Sequence, residues 1–158
     1  TIIKCVFIKY LNWFKYFKSS DIIVEKKLVA KVFKFQKKKF KGIKFFTPND
    51  LNLQLGLMSH PRNHIIEPHM HLNKKKIIRQ MSELLIIFSG KLQVFFYNKK
   101  KIKVKSLILN RKDMILLISG AHGFKVLEKL EMIEVKQGPF KEKQDKIRLK
   151  KFWKNLFQ

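Results

Sequence analysis

Three histidines and one carboxylate occur in this chain at positions where they could bind a metal ion together. His69 and His71 are separated by one residue, Glu83 begins an apolar run, and His122 follows a glycine-containing turn. Three imidazoles and one carboxylate can hold a divalent transition metal and leave coordination positions open for a substrate. The alternative is three unrelated histidines in a lysine-rich protein.

The segments around these residues have the periodicity of β-strands. Leucines occupy every second position from 51 to 57, which predicts a strand with one apolar face. Apolar runs predict further strands at 83–88, 92–97, 102–109, 114–118, 124–127 and 132–135, and polar turns at 98–101 and 110–113. Short strands separated by tight turns, without sustained helical periodicity, predict an all-β sandwich or barrel.

The two ends of the chain differ from this block, which we expect to form one domain over residues 41–140. Residues 1–40 are predicted to be an N-terminal extension, in which the strand-like segment 21–35 adds an edge strand. In the basic tail, 141–158, apolar residues at the spacing i, i+3, i+4, i+7 predict a short amphipathic helix that docks on the domain, namely Leu149, Phe152, Trp153 and Leu156. No apolar run approaches the ~20 residues of a membrane helix, so no transmembrane segment is predicted.

The composition is strongly basic, with 36 Lys and Arg against 11 Asp and Glu and a net charge of +25. Almost all of the basic residues are lysines, whereas arginine is the usual reader of base edges, so no specific nucleic-acid partner is predicted. The excess accompanies many Phe, Ile and Asn, which share A- and T-rich codons, and genome composition could account for it. The single cysteine, Cys5, excludes an internal disulfide framework and favours a reducing, cytoplasmic location.

Strand geometry gives the candidate ligands an orientation. Alternate side chains of a strand point to the same face, so His69 and His71 are predicted to project together, with Met70 on the opposite face. Glu67 shares their face if the strand continues through the intervening proline. An acidic residue at position 83, where an apolar strand begins, requires a partner.

The order and spacing of these residues resemble the two signature motifs of the cupin superfamily. The His-x-His pair precedes Glu83, and Gly90 follows Glu83 with six residues between them. Asp113 and His122 stand at the Asp and His positions of the second motif, and Lys112 stands where that motif commonly has glycine. The gap before Glu83 is longer than usual and implies an inserted loop around residues 73–79. The resemblance covers roughly residues 45–148 and extends to small bacterial cupins linked to surface-sugar biosynthesis.

The resemblance implies a double-stranded β-helix, or jelly roll, with a metal inside the barrel. By position, the ligands would be His69, His71, Glu83 and His122, and the metal would be iron, manganese, nickel, zinc or cobalt. Cupins commonly pair through edge strands, so a homodimer is expected.

Five further residues are candidates for supporting the ligands or contacting a substrate: Arg62, His64, Glu67, Arg79 and Tyr97. The arginines could bind a phosphate or carboxylate bidentately, and the tyrosine could donate a proton. The alternatives are a loop histidine and solvated surface arginines.

Three functional hypotheses stay open at this point. The first is a metal-binding cupin that binds or acts on a small polar molecule, such as a sugar or a sugar-derived metabolite. The second is a metal-free cupin resembling sugar-nucleotide epimerases and isomerases, in which a histidine is the general base. The third is a ligand-binding module without catalysis.

Overall fold

The computed structural model describes residues 17–36, 41–75, 77–78, 80–139 and 147–149. These residues form eight β-strands and no helix, which confirms the all-β prediction. In chain order the strands are β1 (Phe17–Val24), β2 (Lys27–Phe35), β3 (Gly42–Phe45), β4 (Gly56–Ser59), β5 (Glu83–Tyr97), β6 (Lys103–Asn110), β7 (Met114–Leu117) and β8 (Ala121–Lys136). Cys5, Arg79 and all of the predicted C-terminal helix beyond Leu149 lie outside the described residues.

Contacts divide the described residues into two compact units, one drawn from residues 17–19 and 34–78 and the other from 20–33 and 80–149. The larger unit contains a curled antiparallel sheet with the strand order β1-β2-β7-β5-β6, in which β8 also pairs with β5. This sheet forms half of a barrel, which agrees with the predicted barrel class. The double-stranded β-helix stays a prediction.

The segment 21–35 contributes two strands rather than one edge strand. Glu25 and Lys26 both have positive φ, 48° and 63°, as a two-residue type I′ hairpin turn requires. β1 is the edge strand of the resulting hairpin, and β2 lies between β1 and β7.

β5 is divided by a bulge at Gly90. Its register with β8 shifts three times between Ile87 and Leu92. Gly90 has φ +79°, and a Cβ atom there would lie 2.0 Å from the carbonyl oxygen of Lys129, so only glycine fits. The bulge changes which positions of β5 point into the core, from odd-numbered residues before it to even-numbered residues after it: Leu85 and Ile87, then Leu92, Val94 and Phe96.

We call the face of the sheet that bears these core residues the inner face, and the opposite face the outer face. Directly paired residues of antiparallel strands project to the same face, so the register extends the inner face to the neighbouring strands. Its buried members there are Ala30, Val32, Leu109, Ile115 and Leu117. The outer face is also largely covered, because Phe33, Leu84, Phe95, Tyr97, Met114 and Leu116 are buried.

The two polar turns lie where the sequence predicts them. In the first, Asn98 connects β5 to β6, and its side chain accepts a hydrogen bond from the Ile102 N–H at 3.0 Å. In the second, the buried Asp113 accepts one from the Asn110 N–H at 2.8 Å. Lys112 has φ 74° in that turn, a left-handed backbone conformation that favours glycine.

The smaller unit contains the antiparallel pair β3 and β4, with Gly42 opposite Ser59. The predicted alternation is confirmed for burial, because the odd-numbered leucines from 51 to 57 are half-buried and the residues between them exposed. The strand itself begins only at Gly56. The connection before it is held by side-chain hydrogen bonds, including Thr47 Oγ1 to Gln54 Oε1 at 2.9 Å.

Residues 60–75 contain a turn but no strand. The prediction that His69 and His71 lie in a β-strand is therefore wrong. Pro61 and Pro68 lack the N–H that a strand ladder needs, and residues 61–75 are exposed throughout, so no buried face stabilises a strand here.

Candidate functional site

Glu83 and His122 contact each other in the larger unit. His122 Nε2 lies 3.4 Å from Glu83 Oε2, and both side chains are 27% exposed. The other ring nitrogen, Nδ1, lies 3.3 Å from the carbonyl oxygen of Gly120. The His122 ring also packs against Phe124, with 5.4 Å between the centroids. Contacts on several sides thus position the pair, and most of its surface is shielded from water.

The curl of β5 brings these two residues together. Glu83 is the first residue of β5, whereas His122 is paired with Phe96, which is 13 positions further along the same strand. Thirteen residues of straight strand would span about 43 Å. The contact therefore requires β5 to curve back on itself, and the Gly90 bulge lies between its two ends.

Both residues belong to the inner face. Glu83 is paired with Leu117, a member of the core, and His122 is paired with Phe96, another member. Paired residues share a face, so the carboxylate and the imidazole project to the concave side of the half-barrel. The expectation that an acidic residue at position 83 needs a partner is confirmed, since His122 is one.

His69 and His71 lie close to each other in the smaller unit, although they are not in a strand. Their ring centroids are 5.3 Å apart with the rings nearly perpendicular. His69 Nδ1 lies 2.9 Å from the backbone carbonyl oxygen of Glu67. Met70 between them is 86% exposed. The predicted proximity of the two imidazoles therefore holds, while their support is an exposed loop.

His69 and His122 share a hydrogen-bond pattern that determines which ring nitrogen is available to a metal or a proton. Each places Nδ1 near the carbonyl oxygen of the residue two positions earlier. A carbonyl oxygen can only accept, so Nδ1 carries a proton and Nε2 is the atom that can bind a metal or a further proton. Histidine ligands of metals are commonly held by such a contact to a backbone carbonyl. In the pair with Glu83, a proton on Nε2 and a metal ion are alternative partners of the carboxylate.

The four predicted ligands therefore form two pairs, one in each unit. Within the residues that the structure describes, no three His, Cys, Asp or Glu side chains form a group that could hold a metal ion. The four-ligand set stays a prediction.

The other candidates have local partners or lie on the surface. His64 stacks in parallel on His60, with 4.0 Å between the centroids. Arg62 is exposed in the turn that also contains Asn63, and Glu67 is exposed beside His69. Arg79 lies outside the described residues.

Tyr97 is separated from the Glu83–His122 pair by the sheet itself. It follows Phe96 on β5, so strand alternation puts it on the outer face. Its hydroxyl is buried without a hydrogen-bond partner among the described residues, and burial raises the pKa of the phenol above its ordinary value of 10.0.

Sequence reasoning missed two lysines of the inner face. Lys105 is paired with Phe96, and Lys136 is paired with Glu83, so each flanks one end of the site. Neither stands out in a chain with 36 basic residues. Only the register, which depends on pairing between distant segments, distinguishes them from surface lysines.

Comparison of the chain with protein-family models, with curated proteins and with solved structures gives no match. The resemblance to cupins therefore depends on the motif residues quoted above. A search of the described residues finds no helix that is long and apolar enough to cross a membrane.

Proposed function

We propose that this chain is a metal-binding barrel protein of cupin type that binds or acts on a small polar molecule, such as a sugar or a sugar-derived acid. Its ligands are His69, His71, Glu83 and His122, and its metal is a divalent transition metal: iron, manganese, zinc, nickel or cobalt. The observation that supports the proposal is the Glu83–His122 pair on the inner face, 3.4 Å apart. The fit is further supported by the two histidines that direct Nε2 away from the backbone.

The residues around the pair have distinct roles in this proposal. A metal held there would polarise a carbonyl or hydroxyl oxygen of the substrate. Glu83 would offset part of its charge, the imidazoles would donate nitrogen lone pairs to it, and the Gly120 carbonyl keeps His122 in one tautomer. Phe96 and Phe124 line the inner face beside His122 and limit the access of water to it.

Metal content is the direct test. Purified protein is analysed by mass spectrometry for bound metal, with the double variant His69→Ala and His71→Ala beside the wild type. We expect about one metal per chain in the wild type and a loss of most of it in the variant.

A matched control comes from the same loop. Substitution of His60 and His64 by alanine removes two imidazoles that stack on each other and that the proposal does not use as ligands. This control should keep its metal. If the variant lacking His69 and His71 retains full metal content, the proposed ligand set is wrong.

The Glu83–His122 contact also favours a second candidate, a metal-free isomerase or epimerase. A carboxylate beside an imidazole orients it, which suits His122 to act as a general base. This candidate predicts that deoxythymidine- or uridine-diphosphate sugars raise the melting temperature of protein treated with chelator. No such rise, or a rise that requires metal, would exclude it. If a sugar binds but no product forms, the chain is a binding module rather than an enzyme.

We also propose that two copies of the chain pair through β8. This strand has 16 residues and pairs only with β5 in the described part of the chain, and exposed apolar residues line it, namely Val126, Leu127, Ile133 and Val135. Long free edges of this kind pair readily with another strand. Sedimentation over a range of protein concentrations should give the mass of a dimer, and a monomer throughout would contradict the proposal.

A further inference from the structure

The inner face carries a row of three residues at the His122 end of the half-barrel. Phe96 on β5 is paired with Lys105 on β6 and with His122 on β8. Neighbouring strands are about 4.8 Å apart, so the backbone positions of Lys105 and His122 are separated by about 10 Å across the phenylalanine. A lysine ammonium and an imidazole thus flank one aromatic ring on the same face.

Strand alternation from Leu109 through Leu107 puts Lys105 on this face, and a bulge in β6 ends that alternation just beyond it. The register shifts so that Phe96 is paired with Lys105 while Tyr97 is paired with Lys103, which leaves Val104 as the extra residue. The ammonium of Lys103 lies 5.4 Å from the ring centroid of Phe95, a residue of the outer face. Lys103 and Lys105 are two positions apart but project to opposite faces of the sheet.

Lys136 and Lys105, two lysines of the inner face, differ in whether they contact an acidic residue. At the other end of β5, Lys136 Nζ lies 3.5 Å from Glu134 Oε1 and adjoins Glu83 in the ladder. Lys105 is exposed and has no acidic partner among the described residues. Its ammonium is thus available to an anion on the concave side, beside an apolar wall.

We propose that Lys105 recognises an oxyanion, a phosphate or a carboxylate, on the molecule that the inner face binds. This inference rests on the proposed function and specifies its ligand as anionic. One end of the ligand meets the Glu83–His122 site, and its oxyanion meets Lys105 across Phe96. A lysine supplies a point charge without the fork geometry of arginine, so either oxyanion can satisfy it.

The test measures anion binding at the site rather than over the whole basic surface. Inorganic phosphate and, separately, malonate are titrated into the purified full chain, and the imidazole signal of His122 is followed by NMR. That signal is assigned by its loss in His122→Gln. We expect a saturable shift in the wild type with at least one of the two anions, and the responding anion identifies the preferred oxyanion.

Lys103→Gln is the matched control for Lys105→Gln. Both variants remove one exposed cation from β6, so a general electrostatic effect of the chain's charge would be the same in both. We expect Lys105→Gln to weaken the apparent Kd about fivefold or more, and Lys103→Gln to change it less than twofold. Equal weakening in the two variants, or no response of His122 to either anion in the wild type, would overturn the inference.

Metal analysis of the same preparations separates this inference from the proposed function. Lys105 is not among the proposed ligands, so Lys105→Gln should keep the metal content of the wild type. Full metal content without an anion response refutes the role of Lys105 and leaves the metal site standing. A selective loss of anion binding in Lys105→Gln, in protein that binds no metal, supports Lys105 and refutes the metal site.

Discussion

The two histidine pairs of this chain are supported in opposite ways. In the larger unit, His122 and Glu83 project from paired strands, and each is about three-quarters buried. In the smaller unit, His69 and His71 project from an exposed loop, where the hydrogen bond that orients His69 comes from a carbonyl only two residues away. One pair is positioned by long-range register and the other by its immediate neighbours.

This difference shows what a strand scaffold adds to a site. In both regions a histidine Nδ1 contacts a backbone carbonyl oxygen two residues earlier, and this contact directs Nε2 away from the backbone. Only the sheet region adds a fixed partner, because β5 holds the Glu83 carboxylate at a set distance from the imidazole. Sites built on rigid elements are more precise than sites built on loops. We therefore expect the sheet pair to be rigid and the loop pair to be adjustable.

The largest expected effect tests whether the Gly90 bulge holds the sheet pair. In Gly90→Ala, the new methyl group would meet the Lys129 carbonyl oxygen at 2.0 Å, and the residue would have to keep φ at +79°. Because the obstacle is backbone, we expect the free energy of unfolding to fall by more than about 4 kcal/mol. Urea denaturation measures this change.

Gly42→Ala is the comparison variant in the smaller unit. Gly42 has φ +93°, but no atom lies within 4 Å of a Cβ placed there, so only conformational strain opposes the substitution. The expected loss is about 1–2 kcal/mol. Equal losses in the two variants would mean that the close approach at Gly90 does not hold the curl of β5.

Amide hydrogen exchange should separate the two regions next. The backbone around His122 is in the β5–β8 ladder, whereas the described backbone hydrogen bonds of the loop end with His64 N–H to Pro61 O. We expect the amides of residues 122–126 that face β5 to exchange at least ~100-fold more slowly than those of residues 69–72. Similar rates in both regions would remove the distinction between a rigid pair and an adjustable pair.

The smallest effect concerns the outer face of the sheet region. Tyr97 has a pKa raised by burial, so the unfolded chain loses the phenolic proton first and binds fewer protons than the folded chain as the pH rises through 10.0. Stability should therefore fall as the pH rises above 10.0. Tyr97→Phe should remove this fall and, since it deletes an unpaired buried hydroxyl, add about 1 kcal/mol at pH 7.

Urea denaturation of the wild type and of Tyr97→Phe at pH 8 and pH 10.5 measures both effects. The comparison between the two proteins cancels the titration of the lysines, which both share. If the two proteins lose the same stability between these pH values, the Tyr97 hydroxyl is not desolvated and the outer face is more open than its burial indicates.

Features of the fold that depend on short segments could be predicted from the sequence. Alternating apolar residues predicted strands, and the polar clusters at 98–101 and 110–113 predicted turns, because both signals are local. The placement of Glu83 at a strand start also followed from its neighbours. The motif resemblance named Glu83 and His122 as ligands of one site, and the structure brings these two together.

Local sequence patterns did not predict the features that depend on burial or on pairing between distant segments. A His-x-His spacing is compatible with a strand, but without a buried face and next to Pro68, the segment around His69 forms none. Lys103 and Lys105 project to opposite faces because of a bulge that exists only in relation to β5. Glu83 is paired with Lys136, 53 positions away, and no short window contains that information.

The bulge in β5 also limits how this chain can change in length. Inner-face residues of β5 are odd-numbered before Gly90 and even-numbered after it. The bulge therefore shifts the alternation of side chains along the strand by one residue. Deleting one residue between Phe88 and Lys91 would cancel that shift and turn Phe95 and Tyr97 toward the concave side in place of Phe96. Lys105 and His122 would then lose the ring that they flank. An insertion or deletion of a single codon at the bulge would therefore turn the side chains in half of β5 to the opposite face of the sheet.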